Sequence, residues 1–444
     1  MKTLNDIIKS KRGHIEFKKI LETCLELYNK GEEISEIEAQ IEKIFGVYHA
    51  SEFKTTASPL NILGDVGVDV DMESLNQIYT ALKLPVSIRG AILPDSHVGY
   101  SLPIGGVISL VNAISPHFIG FDIACRISLS ILDIEVEDYF NSRDEFYDAV
   151  KTETSFGIGA SFKKKRKHKV MEDDLWNEIP ALKKLKTLAH SQLGSSGGGN
   201  HFVDVVLIEF NSSFEGYDVS KIHVGILSHS GSRGVGHKMA TYYSHMAKEW
   251  THANVLNVPT GYEYLPINHD LGSEYWNVMH LMGDYAKANH ELIHQHITKK
   301  LGVKILHYID NHHNFCWLEN GEYVHRKGAT PAGMGKLGIV GGTMATPSYL
   351  TVGLGNEEFI NSSSHGAGRL FSRTKAKQNF NKDLHEEITK SRNILTNGIA
   401  SDESFQGYKD ISRVMELQEG VNLKVLASLQ PSIVFMGGKS DDGD

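Results

Sequence analysis

The chain has 444 residues, 41% hydrophobic and 22% charged, a balance that excludes a disordered polymer and leaves room for one large domain or about two to three ordinary ones. A formal net charge of −9 argues against a protein that coats nucleic acid by bulk attraction. Three cysteines, Cys24, Cys125 and Cys316, argue against a disulfide framework; with no apolar signal core at the N-terminus and no uninterrupted apolar run of about 18 residues, the expectation is a cytoplasmic protein with no membrane partner.

Residues 1 to about 50 read as helical, because Ile15, Phe17, Ile20, Leu21, Cys24, Leu25 and Leu27 keep helical spacing and Ile37, Ile41 and Ile44 continue it after Gly31. From Leu84 to Leu132 the texture changes to short apolar runs (91–93, 106–111, 127–132) broken by Pro and Gly, the signals of strands and turns. Asp122 and Cys125 fall at a strand edge or turn. The run Lys163-Lys164-Lys165-Arg166-Lys167-His168-Lys169 is a basic block, either a solvated loop or an RNA-backbone contact. Strands are predicted over 202–210 and 222–227, a helix over 273–300, and further strands over 304–309, 338–340 and 349–352. No repeat and no Pro/Ser-rich linker divides the chain, so the expected fold is α+β: a helical extension (1–60), one large mixed domain (61–438) and a disordered acidic tail (439–444).

Histidine islands stand at the predicted strand ends. Gly197-Gly198-Gly199-Asn200-His201, His229-Ser230-Gly231-Ser232-Arg233-Gly234 and Asn311-His312-His313-Asn314 share the chain with Asp122-Ile123-Ala124-Cys125. Imidazole, thiolate and carboxylate together suit Mn, Fe, Co or Zn better than Mg or Ca, and the glycines let backbone amides approach a phosphate. Taken singly, a buried cysteine or a satisfied histidine is the blander reading of each island; together they favour an enzyme. In Ser364-His365-Gly366-Ala367-Gly368-Arg369, the small residues admit a phosphate to the imidazole and Arg369 can offset its charge, so His365 is a candidate nucleophile beside the quieter reading of a structural histidine. A literal H-E-x-x-H, His290 to His294, would suit a zinc protease, but no H-x-x-G-x-x-H continuation follows it.

From about Leu84 to Gly438 the chain resembles the RtcB family of RNA-splicing ligases. The resemblance rests on Pro94-Asp95-Ser96-His97, Asp122 to Cys125, Gly199-Asn200-His201-Phe202, His229 to Gly234, His312-His313-Asn314, His325-Arg326-Lys327-Gly328-Ala329-Thr330 and Ser364 to Arg369. It implies a deep metal-lined cleft and joining of an RNA 3′-phosphate or 2′,3′-cyclic phosphate end to a 5′-hydroxyl end with GTP and two Mn²⁺, in RNA repair or tRNA splicing. By the same resemblance Cys125 bridges the ions, His201 and His229 hold one, Asp122 and His313 hold the other, and His365 carries GMP. Asn200, His201, Phe202, Val203, Asp204, His313, Asn314, Gly341, Gly342, Thr343, Met344, Ser348, His365, Gly366, Ala367, Gly368 and Tyr408 match nucleotide-contacting segments. Arg233, Lys327 and Arg369 are the expected RNA or phosphate contacts. The chain is expected to be monomeric, with an activating protein partner left open.

The chain departs from the family pattern at several points. Asp204 stands where the family has Glu, Met436-Gly437 where it has Lys-Gly with Lys439 three residues on, Arg126 where it usually has Gly, and Gly342-Thr343-Met344-Ala345 for a Gly-Ser-Met-Gly-like run. The alternative readings are a metal-dependent RNA-end phosphodiesterase or RNA-end-binding protein that has lost ligation and, more distantly, a zinc metalloprotease built on His290 to His294.

Overall fold

A computed structural model describes residues 2–11, 17–45 and 51–438. The architecture is mixed α/β, as the alternation of apolar periods predicts. The N-terminal helices Leu4–Ser10, Phe17–Asn29 and Ile34–Phe45 bury Ile7, Ile20, Cys24, Ile37 and Ile41 against one another, whereas Leu25 and Ile44, which share the apolar spacing, are 44% and 60% exposed. Ile15, the first residue of that spacing, and the acidic tail from Lys439 lie outside the described residues.

Two sheets carry the rest. The larger one orders its strands Ile305–His312, Arg126–Glu135, Ile222–Ser230, Phe202–Phe210, Leu423–Met436, Ser348–Gly353 and Leu337–Val340, with Leu395–Asn397 added beside Leu423–Met436. It curls almost into a barrel: Asn311 on the first strand accepts from the Ile339 amide on the last at 3.1 Å, satisfying backbone groups a sheet edge would leave bare. The second sheet orders Asn314–Glu319, Glu322–Lys327, Ile104–Leu110, Ser87–His97 and Leu60–Ile62. One residue, His313, joins Ile305–His312 of the first sheet to Asn314–Glu319 of the second, and so sits where the two sheets part.

The expected boundary at residue 60 falls inside the strand Leu60–Ile62, which pairs with Ser87–His97, while Ser51–Glu52 pairs with Val255–Leu256. The sheet-bearing body therefore begins by Ser51 rather than at 61. A strand of two or three residues carries no readable period, so the sequence does not announce it. The helix expected over 273–300 runs Asp270–Leu301 with a left-handed Gly302 at its C-terminal end, the position that glycine fills at least cost. It packs against strands Arg126–Glu135 and Ile222–Ser230, which presses the strand ends bearing Cys125 and His229 from behind.

Candidate metal and phosphate site

The turn before Arg126–Glu135 is tight. Ala124 takes φ 56° and its amide donates to Asn314 O at 2.7 Å, while the His313 amide donates to Cys125 O at 2.9 Å. These bonds fix Asp122, Cys125 and His313 to one another through backbone. His229, on the penultimate residue of its strand, and His201, just before Phe202–Phe210, reach the same place. Cys125 Sγ lies 3.1 Å from His229 Nε2 and 3.4 Å from His201 Nε2. His229 Nε2 lies 3.2 Å from His313 Nε2, and His201 Nε2 lies 2.9 Å from Asp122 Oδ2.

Two overlapping ligand groups result, Cys125 with His229 and His313, and Asp122 with Cys125 and His201. This division differs from the one the resemblance implies: His201 stands with Asp122, and His229 with His313, because the turn carrying Asp122 faces the loop carrying His201. Cys125 belongs to both groups.

The residues fit a transition metal. His201 Nδ1 and His229 Nδ1 face the carbonyls of Ser196 at 3.1 Å and Asn200 at 3.0 Å; with the proton placed there, both Nε2 lone pairs point inward, the tautomer a ligand needs. Burial keeps His229 neutral, with its pKa down at about 3, and depresses His313 in the same direction. Burial also opposes ionisation of Asp122, but the His201 hydrogen bond and charge, the Cys125 thiol and the Arg233 guanidinium hold its carboxyl at about 2. The Cys125 thiol is pushed up by burial and by the Asp122 charge, a penalty that a bound cation would reverse. Gly231 has no room for a side chain, since a Cβ there would stand 2.1 Å from Asp122 Oδ1.

Beside this group opens a cavity of about 980 Å³. His365, following the strand Ser362–Ser364, reaches into it with its ring centroid 4.7 Å from that of His313. Its Nδ1 lies 2.7 Å from Asp95 Oδ2, and its backbone amide donates to the same oxygen at 3.2 Å. Asp95 is fully buried. Gly368, at φ 76°, approaches the Asp95 carbonyl so closely that a Cβ would stand 2.1 Å away. Asp95 is the residue that sequence reasoning leaves without a role; its signal is a carboxylate at the end of the apolar strand Ser87–His97.

Most of the other expected contacts line the same cavity: Asn200, Phe202, Asp204, Asn314, Gly341, Gly342, Thr343, Met344, Ser348, Gly366, Ala367, Gly368, Tyr408, Lys327 and Arg369. The Gly342 amide donates to Ser348 Oγ at 2.9 Å, and the Arg369 guanidinium stands over the Tyr408 ring and pairs with Glu403 at 2.7 Å. Lys327 is buried and donates to His117 O at 3.2 Å; burial lowers its pKa to about 7.

Two expected contacts are corrected. Val203 is fully buried with Val205 in the core on the opposite face of its strand, as the twofold alternation requires. Arg233 turns away from the cavity towards Ser195 Oγ at 3.2 Å and the Gly157 carbonyl at 3.4 Å, leaving its charge behind Asp122. Arg126, the departure after Cys125, donates to Gly283 O on the long helix and pairs with Asp310 on the neighbouring strand Ile305–His312.

The H-E-x-x-H imidazoles are occupied elsewhere. His290 Nδ1 and His294 Nε2 lie 2.6 and 2.7 Å from the hydroxyl of Ser228, and His294 Nδ1 lies 2.6 Å from that of Ser130. Glu291 pairs with His168 at 3.0 Å. These residues form a sealed buttress behind strand Ile222–Ser230, with no shared metal position, which removes the protease reading. His168 belongs to the basic block, which is pinned at two points: Arg166 is buried against Phe162 and donates to Gly194 O at 2.9 Å, while the flanking lysines are exposed.

A family model described as tRNA-splicing ligase RtcB matches residues 77–437. The chain is 29% identical over 408 residues to RNA-splicing ligase RtcB of Escherichia coli K12, covering 84% of this chain and 96% of the relative. It is 29% identical over 421 residues to tRNA-splicing ligase RtcB of Methanococcus maripaludis (78% and 87%), and 27% identical over 441 residues to RNA-splicing ligase RtcB homolog 1 of Entamoeba dispar (82% and 82%).

Proposed function

The chain belongs to the RtcB family of tRNA-splicing ligases, and on that premise we propose that it joins an RNA 3′-phosphate or 2′,3′-cyclic phosphate end to a 5′-hydroxyl end, with Mn²⁺ as metal and GTP as nucleotide, through GMP carried on His365. One relationship supports this above an RNA-end phosphodiesterase or binding protein: Asp95 holds Nδ1 of His365 at 2.7 Å, beside the ligand group. A histidine whose Nδ1–H is held by a buried carboxylate keeps its Nε2 lone pair free and its rotamer fixed, as a nucleophile requires. Simple binding has no use for that arrangement, and a hydrolase that used it as a general base would leave no nucleotide on the ring.

In the first step Nε2 attacks the α-phosphorus of the triphosphate. A P–N bond forms, the P–O bond to the β-phosphate breaks, and pyrophosphate departs. Asp95 stabilises the positive charge that the ring acquires. The nucleotidyl group then passes to an oxygen of the RNA 3′-phosphate, which breaks the P–N bond and returns the ring to neutrality. The 5′-hydroxyl attacks the activated 3′-phosphate, forming the phosphodiester and releasing GMP. A cyclic end must first be opened by water.

Asp122, Cys125 and His201 would hold one ion, and Cys125, His229 and His313 the other. What Mn²⁺ supplies when bound is charge compensation and in-line orientation of the triphosphate. The backbone at Gly366 and Gly368 carries no Cβ and so lets phosphates come close, and Lys327 and Arg369 lie at the cavity wall for RNA oxygens. The test is covalent labelling by α-labelled GTP with Mn²⁺: the label is expected on His365 and absent in His365→Ala. A protein with metal bound and RNA ends present that takes no label would sink the proposal.

A further inference from the structure

The cavity divides by chemistry, and this inference rests on the ligase reading above. At one end stand His365, the ligand group and the glycine amides. The loop 341–344 leads away from there: Gly341 donates to His365 O at 2.8 Å, and three residues on Met344 packs with Val434 and Met436, against which Phe202 also lies. A nucleoside triphosphate enters such a cleft in one sense, phosphates towards cations and amides, base towards the apolar wall.

One polar side chain faces that apolar wall. On strand Phe202–Phe210 the alternation turns Phe202 and Asp204 to the cavity, directly opposite Met436 and Val434 in the register of the neighbouring strand. Asp204 is 5% exposed, and its Oδ1 is buried with no hydrogen-bond partner. Its hydrogen-bonding neighbour is the Phe435 backbone. Among the described residues no lysine, arginine or histidine forms an ion pair with it.

A carboxyl taken out of water without a cation keeps its proton; burial pushes that of Asp204 well above the carboxylate range. Charge state decides what the group can read. An ionised carboxylate only accepts, so it selects a base edge with two adjacent donors, as guanine offers at N1–H and N2–H, and repels the N1 lone pair of adenine. A neutral carboxyl presents a donor and an acceptor side by side, which adenine matches with N1 and its N6 amine and guanine with O6 and N1–H. Val434, Met436 and Met344 add stacking area with no hydrogen-bond preference.

We propose that the base end of this cleft does not select guanine: Asp204 meets either purine with one donor and one acceptor, and the protein binds and uses ATP alongside GTP.

The experiment is equilibrium binding of GTP and of ATP to the full-length protein with Mn²⁺ at pH 7.5, by competition against a fluorescent guanine nucleotide, with covalent labelling of His365 by each α-labelled nucleotide in parallel. The two dissociation constants are expected within about threefold of each other, whereas a hydrogen-bonding site that reads guanine discriminates by on the order of 10²-fold or more. Asp204→Ala should weaken both nucleotides by a similar factor. Met436→Lys, which places a cation beside the carboxyl and so ionises it, should turn the ratio towards GTP by about tenfold or more. Lys439 lies just beyond the described residues, and Lys439→Ala should leave the ratio unchanged. A wild-type preference for GTP of about 100-fold, or one that disappears in Lys439→Ala, overturns the proposal. Equal binding with no label on His365 would instead uphold the unselective base site and count against the ligase reading; label from GTP with ATP unbound would overturn the proposal and uphold that reading.

Discussion

Asp95 Oδ2 lies 2.7 Å from Nδ1 of His365, across 270 residues of chain. The fully buried carboxylate can only accept, so it selects the tautomer in which Nδ1 carries the proton and Nε2 faces the cavity. Asp95→Asn keeps the shape but removes the negative charge that offsets the one the ring acquires when it takes the nucleotidyl group. Nucleotidylation of His365 should slow by on the order of 10²–10⁴-fold with little change in nucleotide affinity. Single-turnover labelling checks this, and a rate within a few fold of wild type would refute the role given to Asp95.

The ligand group predicts how metal affinity depends on pH. Asp122 is held at about 2 and His229 at about 3, so neither gives up a proton on binding a cation near neutrality. The Cys125 thiol, pushed up by burial and by Asp122, must release one. Mn²⁺ affinity should therefore rise by about tenfold per pH unit between about pH 6 and 8, with about one proton released. Calorimetry in buffers of different ionisation enthalpy measures that proton directly, and a pH-independent affinity would contradict it. Gly231→Ala, which drives a methyl into Asp122, should lower affinity by roughly 10–100-fold in a folded protein.

How far the sequence discloses this site depends on range. Strand Phe202–Phe210 emerges with its predicted bounds because an apolar, β-branched run broken only by Asp204 and Glu209 follows a glycine cluster, and the histidines at strand ends do converge, since strands of one curled sheet bring their ends together. What local pattern cannot contain is pairing across the fold. Asp95 acts on His365 from another sheet strand, and His201 groups with Asp122 because of which loops face one another. Nor does composition separate a histidine of the candidate ligand group from a buttressing one: His294 and His229 are both buried and neutral, and only the atoms opposite their nitrogens distinguish them.

That buttress should bear on stability before chemistry. His294 is fully buried and links Ser130 to Ser228, so His294→Ala strands the Ser130 hydroxyl, takes one of two imidazole partners from Ser228 and opens a void, at a cost of about 2–5 kcal/mol. Burial holds His294 at about 3, whereas the unfolded chain protonates it near 6.5. The unfolded state then binds the extra proton between those values. Stability is full above about pH 6.5 and falls as pH drops towards 3, and His229 and His325, also at about 3, add to the slope. Urea midpoints at pH 7 and pH 5 should differ clearly, and His294→Ala should show a shallower dependence. Glu291→Gln should leave ligation unchanged; a peptidase activity that vanished with that carboxylate, in a protein that leaves RNA untouched, would revive the protease reading.

Lys327 offers the opposite situation, a buried cation awaiting an anion. Its ammonium has the His117 carbonyl at 3.2 Å and the Tyr100 ring at 5.9 Å, and burial brings it to about 7. In the unfolded chain it titrates near 10.4, so the free protein bears the cost of the buried charge below pH 7 and sheds it as pH rises towards 10. A phosphate entering the cavity reverses the balance by favouring the charged form. Binding of an RNA 3′-phosphate end at pH 8 should then take up a proton, and affinity should weaken as pH rises from 7 to 9. Lys327→Met removes both effects: it should melt higher than wild type at pH 6.5, where the ammonium is charged and unpaired, yet bind the RNA end more weakly, by about 1–3 kcal/mol. Calorimetric proton counts with a 3′-phosphorylated oligoribonucleotide decide the matter, because a lysine that merely packs would alter the melt and leave the proton uptake in place.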